Sequence, residues 1–76
     1  MKVTLTRLTS REREVLTLAA RGYTCRKMAS TLSVSTHTIW STLENARTKL
    51  GVLNTTAAVA LALSRGEISL EETNGR

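Results

Sequence analysis

Apolar residues recur at helical spacing in successive segments of this chain, and short polar or glycine-bearing stretches separate them. Val15, Leu16, Leu18 and Ala19 form the first stripe. Ahead of it T-S-R-E places Thr9 three residues before Glu12, a capping box that satisfies free amides at a helix start. Gly22 follows at the left-handed position where helices stop, so the first helix is predicted over residues 10–21. Thr24 caps a short second helix with Met28, Ala29 and Leu32 facing inward. There Lys27 occupies the position an acid would hold in a complete box, and a cation opposing the macrodipole costs on the order of 0.3 kcal/mol. L-S-V-S at 32–35 makes a turn, with Val34 plugging it and Ser35 capping the third helix. On that helix Ile39, Leu43, Ala46 and Leu50 recur at offsets of four, three and four, forming the inward seam, and Gly51 ends it.

At about 100° per residue, His37, Ser41, Glu44 and Thr48 lie opposite that seam. Trp40 and Arg47 flank this outer face on one side and Asn45 on the other. Asn54 or Thr55 caps a fourth helix, whose run A-A-V-A-L-A-L-S-R-G at 57–66 is apolar nearly all the way round. Val59, Ala62 and Leu63 are expected to cover the core, leaving Ala57, Ala60, Leu61 and Ser64 on the far side. A small domain cannot bury both faces of a terminal helix, so the far side is either a partner surface, the favoured reading, or a leftover exposed apolar strip. Ile68 and Leu70 add packing at the start of a tail, and residues 69–76 are expected to be disordered. The pattern predicts an all-α, compact four-helix domain over 8–68, preceded by an arm at 1–7.

Composition supports helices over a sheet. The chain has 76 residues, no proline, and only Tyr23 and Trp40 as aromatics, so Leu, Val, Ile, Met and Ala must build the core. Charge adds a candidate partner. Residues 1–22 and 23–53 each carry a net +3, while 54–76 carry −1, out of a total of +5. A basic first two-thirds points to a polyanion, and the last third to a separate role. One cysteine, Cys25, excludes an internal disulfide and fits a reducing compartment. M-K-V-T-L-T lacks the apolar run of a signal peptide and no stretch has transmembrane length, so a cytoplasmic protein without membrane partners is expected.

The segments L-T-S-R-E-R-E-V-L (8–16), A-x-G-Y-T-x-R-K-M-A (20–29), L-S-V-S-T-H-T-I (32–39), N-A-R-T-K-L-G-V (45–52) and A-A-V (57–59) stand in one order and spacing. In these the chain resembles the LuxR/GerE-type (NarL/FixJ-like) helix-turn-helix domain of bacterial transcription regulators, over roughly residues 5–68. The resemblance implies a third helix in the DNA major groove and dimerisation through the fourth helix on a two-fold-related site. Thr24, Arg26, Ser35, Thr38, Asn45, Lys49 and Leu50 match the family pattern. Trp40 replaces a DNA-touching lysine, Thr42 a frequent histidine, Thr55 a frequent arginine, Ala57 a usual glutamate and Lys27 the capping glutamate. Glu44 stands where polar or basic side chains are common.

Thr24, Arg26, Lys27, Arg47 and Lys49, together with helix N-terminal amides, are candidate phosphate donors. Ser35, Thr36, His37, Thr38 and Ser41 occupy the cap and first turns of the third helix, the part that reaches base edges in this docking mode. Trp40 has an indole N–H and an apolar body suited to a thymine methyl or a sugar. Glu44 repels phosphate near a backbone but accepts from cytosine N4 at a base edge. A bland alternative buries Trp40 against Thr36 and Leu43 or a neighbouring domain, leaves His37 as a plain exposed residue, and makes Arg11, Arg13 and Arg21 simple solvated charges. Cys25 beside Arg26 and Lys27 suggests a redox switch, against which an ordinary small residue is the stronger reading.

The expected function is a sequence-specific DNA-binding regulator that dimerises through Ala57, Ala60, Leu61 and Ser64, with double-stranded DNA and a second copy as partners. A related regulator or RNA polymerase is a further candidate partner. The rival reading is a degenerate helix-turn-helix acting as a protein-interaction module or anti-regulator. An enzyme is not expected. With no aspartate, one histidine, one cysteine and no glycine-rich phosphate loop, neither a catalytic triad nor a metal cluster can be assembled, and no cofactor is implied.

Overall fold

The computed structural model describes residues 7–70, so most of the arm at 1–7 and the part of the tail beyond 70 lie outside the described residues. Among them the chain forms four helices and no strand: α1 (Ser10–Ala20), α2 (Cys25–Leu32), α3 (Thr36–Leu50) and α4 (Thr55–Ser64). Among the described residues no helix is long and apolar enough to cross a membrane.

Each helix starts where a polar side chain can replace the missing intrahelical acceptor. Thr9, Thr24, Ser35 and Asn54 accept from the amides of Glu12, Lys27, Thr38 and Ala57, at 3.1, 3.1, 3.0 and 2.8 Å. The box predicted for α1 is complete, because the Thr9 amide donates to Glu12 Oε1 at 2.8 Å. Each helix also ends alike, with paired amide-to-carbonyl bonds that turn the chain through a left-handed residue. For α3 these are Gly51 N to Thr48 O at 3.2 Å and Val52 N to Arg47 O at 3.0 Å. At the end of α2 the left-handed residue is Ser33, with φ 59°. A side chain there costs about 1 kcal/mol, so Ser33→Gly is expected to raise stability by roughly 0.5–1 kcal/mol in urea unfolding.

α1 and α3 form the centre, each packing on all three other helices, while α2 and α4 do not touch each other. Val15, Leu16 and Leu18 of α1 meet Ile39, Leu43, Ala46 and Leu50 of α3, all of them buried. Every residue of the predicted α3 seam is therefore in the core, which commits the opposite side of that helix to the surface. Met28 and Ala29 close one flank from α2, with half-buried Leu32 and Val34 beside them. Leu8 and Ile68 cover the core from the chain ends.

On α4 the rotation differs from the expectation. Ala58 and Ala62 are fully buried, while Val59 and Leu63 are only half-buried. Alanines at i and i+4 let this helix approach α1 and α3 closely, whereas a larger residue on that line would hold it away. Of the predicted outer stripe, Ala60 and Ser64 are exposed, but Ala57 and Leu61 are half-buried and Leu61 packs on the core. The helix also stops at Ser64, before the predicted Gly66. Of the tail, Ile68 is buried and Leu70 is exposed.

Candidate nucleic-acid interface

The α2–turn–α3 unit presents a polar surface built from local geometry. Neither α2 nor α3 has an acid in its first turn, so the partial positive charge of both N-termini is not neutralised from within the helix. Arg26 and Lys27 are exposed in the first turn of α2. Lys27 Nζ stands 5.1 Å from the centroid of the Tyr23 ring, a cation–π contact that offsets part of its conflict with the macrodipole.

On α3 the residues Thr36, His37, Trp40, Ser41 and Glu44 are all exposed. Trp40 is 61% exposed, so the described residues do not bury it against Thr36 and Leu43. Ser35 and Thr38 are exposed but already employed: their hydroxyls lie 3.1 Å apart, and the Ser35 oxygen takes the Thr38 amide. Thr24 likewise spends an acceptor on its cap. Among the described residues, the side chains of Arg26, Thr36, His37, Trp40, Ser41 and Glu44 have no hydrogen-bond or ion-pair partner.

Two candidate phosphate donors are placed differently from the expectation. Lys49, a candidate donor from the sequence, is turned toward its own chain. Its ammonium lies 2.8 Å from Glu12 Oε1 and donates to the Arg7 carbonyl at 3.3 Å, with its side chain only 25% exposed. It ties the last turn of α3 to the first turn of α1. Arg47 is half-buried and donates from Nη1 to Thr55 Oγ1 at 3.3 Å, steadying the first turn of α4. Neither link had a local signal, because the partners are separated by 37 and 8 residues.

Glu12 is the one buried charged residue of the described chain. Burial alone would raise its pKa, but the Lys49 hydrogen bond, the Thr9 amide and the Lys49 charge together outweigh that and hold the carboxyl below its ordinary range. Elsewhere Arg13 donates to the Leu8 carbonyl at 3.0 Å and Arg11 lies 3.5 Å from Glu14, so the basic face of α1 is partly committed to its own chain. Cys25 is a half-buried free thiol.

This four-helix arrangement has known counterparts. The family model described as bacterial regulatory proteins of the luxR family matches residues 6–62. The chain belongs to the LuxR/GerE family. LuxR/GerE relatives include the spore germination protein GerE of Bacillus subtilis, 41% identical over 63 residues that cover 83% of this chain and 85% of that protein. A solved structure titled as the transcription factor GerE superposes with a TM-score of 0.80 at 36% identity, covering 84% of this chain and 96% of the other. The HTH-type quorum sensing-dependent transcriptional regulator VjbR of Brucella ovis is 45% identical over 65 residues, 86% of this chain. Those residues are 25% of VjbR, so the chain spans about a quarter of that relative. The family is one of transcription regulators rather than enzymes, and the helix-turn-helix expected from the sequence is the fold observed.

Proposed function

We propose that this chain binds double-stranded DNA as a LuxR/GerE-type transcription regulator, with α3 in the major groove and two copies paired through α4. The observation that carries this reading is the division of α3: Ile39, Leu43, Ala46 and Leu50 are buried, while Thr36, His37, Trp40, Ser41 and Glu44 form an open face. An α-helix exposed along one side has the width a major groove admits. Arg26, Lys27 and Arg47 supply phosphate donors, and the unneutralised N-termini of α2 and α3 favour anions. Ser35, Thr38 and Thr24 contribute by fixing those N-termini, Lys49 by fixing the far end of α3.

Fluorescence anisotropy of a labelled random duplex tests the reading. Binding at low salt is expected, and Arg26→Ala, a change at an exposed residue outside the core, should weaken it and lower the magnitude of the salt slope by about two for a pair of chains, about one per copy. A chain that leaves the duplex free at low salt would not be a DNA-binding protein.

Pairing is supported by a strip of small and apolar residues that the described residues leave partly open. Ala60 and Ser64 are exposed on α4, Ala57 and Leu61 lie half-buried beside them, and Leu53, one residue ahead of the α4 cap, is 95% exposed. Because Leu61 also packs on the core, Ala60→Glu is the cleaner probe. Sedimentation on duplex DNA should show two copies of the wild type and one copy of this variant, with an unchanged melting temperature. Equal stoichiometry for both proteins would remove α4 from the interface.

A further inference from the structure

Trp40 and Glu44 stand one turn apart on α3, and each is a poor tool for the job its position suggests. Trp40 is 61% exposed, a large apolar ring left open by the described residues. Glu44 is exposed and has no ion-pair partner among the described residues. Neither cation that follows it on α3 pairs with it: Arg47 donates through Nη1 to the Thr55 hydroxyl, and Lys49 pairs with Glu12. A bare carboxylate and a flat apolar ring thus share the face that, on the reading proposed above, enters the groove.

Each side chain narrows what it can meet there. Indole offers one donor and no acceptor, so Trp40 cannot make the two-point bonds by which arginine marks guanine or asparagine marks adenine. Its apolar area has one complement among the base edges, the thymine C5-methyl. Glu44 accepts only. Guanine shows it two acceptors, thymine O4 one, and adenine a donor beside an acceptor, whereas cytosine shows the N4 donor alone. Residues four apart on a helix are about 6 Å apart along its axis, roughly two base-pair steps.

We infer that each half-site carries a thymine and a cytosine within about two base pairs of each other, with Trp40 covering the thymine methyl and Glu44 accepting from cytosine N4. Glu44 acts chiefly by exclusion. Its charge lowers affinity for every duplex and is compensated only where a cytosine answers it, so this residue exchanges strength for discrimination. The inference rests on α3 being the groove helix and adds the chemistry of the site it selects.

Duplexes selected from a random pool by the wild type provide the test, measured by anisotropy against the wild type, Trp40→Ala and Glu44→Ala. Both side chains are exposed, so both variants keep the fold. Replacing the thymine by deoxyuridine removes only the methyl. That change should weaken wild-type binding severalfold and leave Trp40→Ala unaffected. Replacing the C·G pair by T·A should cost the wild type about tenfold and Glu44→Ala little. Glu44→Ala should also bind random duplex more tightly than the wild type. A deoxyuridine effect of equal size in Trp40→Ala, or undiminished cytosine preference in Glu44→Ala, overturns the inference and leaves DNA binding intact. Absence of duplex binding by all three proteins overturns the function proposed above, and this inference with it.

Discussion

Raising the salt concentration from about 50 to about 200 mM is expected to weaken duplex binding by about a thousandfold. Each phosphate neutralised by a cation releases counterions and contributes about −0.9 to the slope of log affinity against log salt. Arg26, Lys27 and Arg47 are the cations placed to do this, which doubles to roughly six contacts for a pair of chains and gives a slope near −5. The exponent also checks the placement of Lys49. Were its ammonium free for phosphate instead of held by Glu12 at 2.8 Å, the same salt change would cost on the order of ten thousandfold. Titrations at several salt concentrations separate the two slopes. A slope near zero would mean that binding, if any, does not use the basic face.

Removing the Glu12 carboxylate should have the largest effect on stability. Glu12→Ala opens the α1 capping box, worth about 1 kcal/mol, and leaves the Lys49 ammonium without its partner in a mostly buried position. A loss of about 3 kcal/mol is expected in urea unfolding, a large share for a domain of this size. The effect must depend on pH in a definite direction. The folded carboxyl titrates below its ordinary range, so its contribution is fully present above the range of an unfolded glutamate, at about pH 5 and higher. It is lost as pH falls through the lower folded value. Wild-type stability should therefore drop on acidification below about pH 5, and Glu12→Gln should show a shallower drop. Parallel curves for the two proteins would show that the ion pair carries none of the acid sensitivity.

Much of this structure is legible in the sequence because its determinants are local. Caps at Thr9, Thr24 and Ser35 are set by residues within three positions, and the α3 seam follows from helical spacing alone. The α4 rotation is a different kind of problem. With apolar residues nearly all round, A-A-V-A-L-A-L has no preferred side, and packing against α1 and α3 selects Ala58 and Ala62 because they are small. Lys49 and Glu12 each had a plausible local role, phosphate donor and cap, and only the fold brings the two together across 37 residues. Arg47 is pulled toward Thr55 in the same way. The open face of α3 was legible as a face, but the exposure of Trp40 required the whole fold, since nothing in its neighbours says whether another segment covers it.

On the proposed function, the surface of α3 opposite Ile39 and Leu43 is the one that meets a duplex. Amide chemical-shift changes recorded while a selected duplex is titrated into labelled protein test it directly. The largest changes are expected at Thr24 to Lys27 and Ser35 to Glu44, with the second half of α1 unmoved. Changes confined to α4 and the 51–54 turn, with α3 silent, would contradict it.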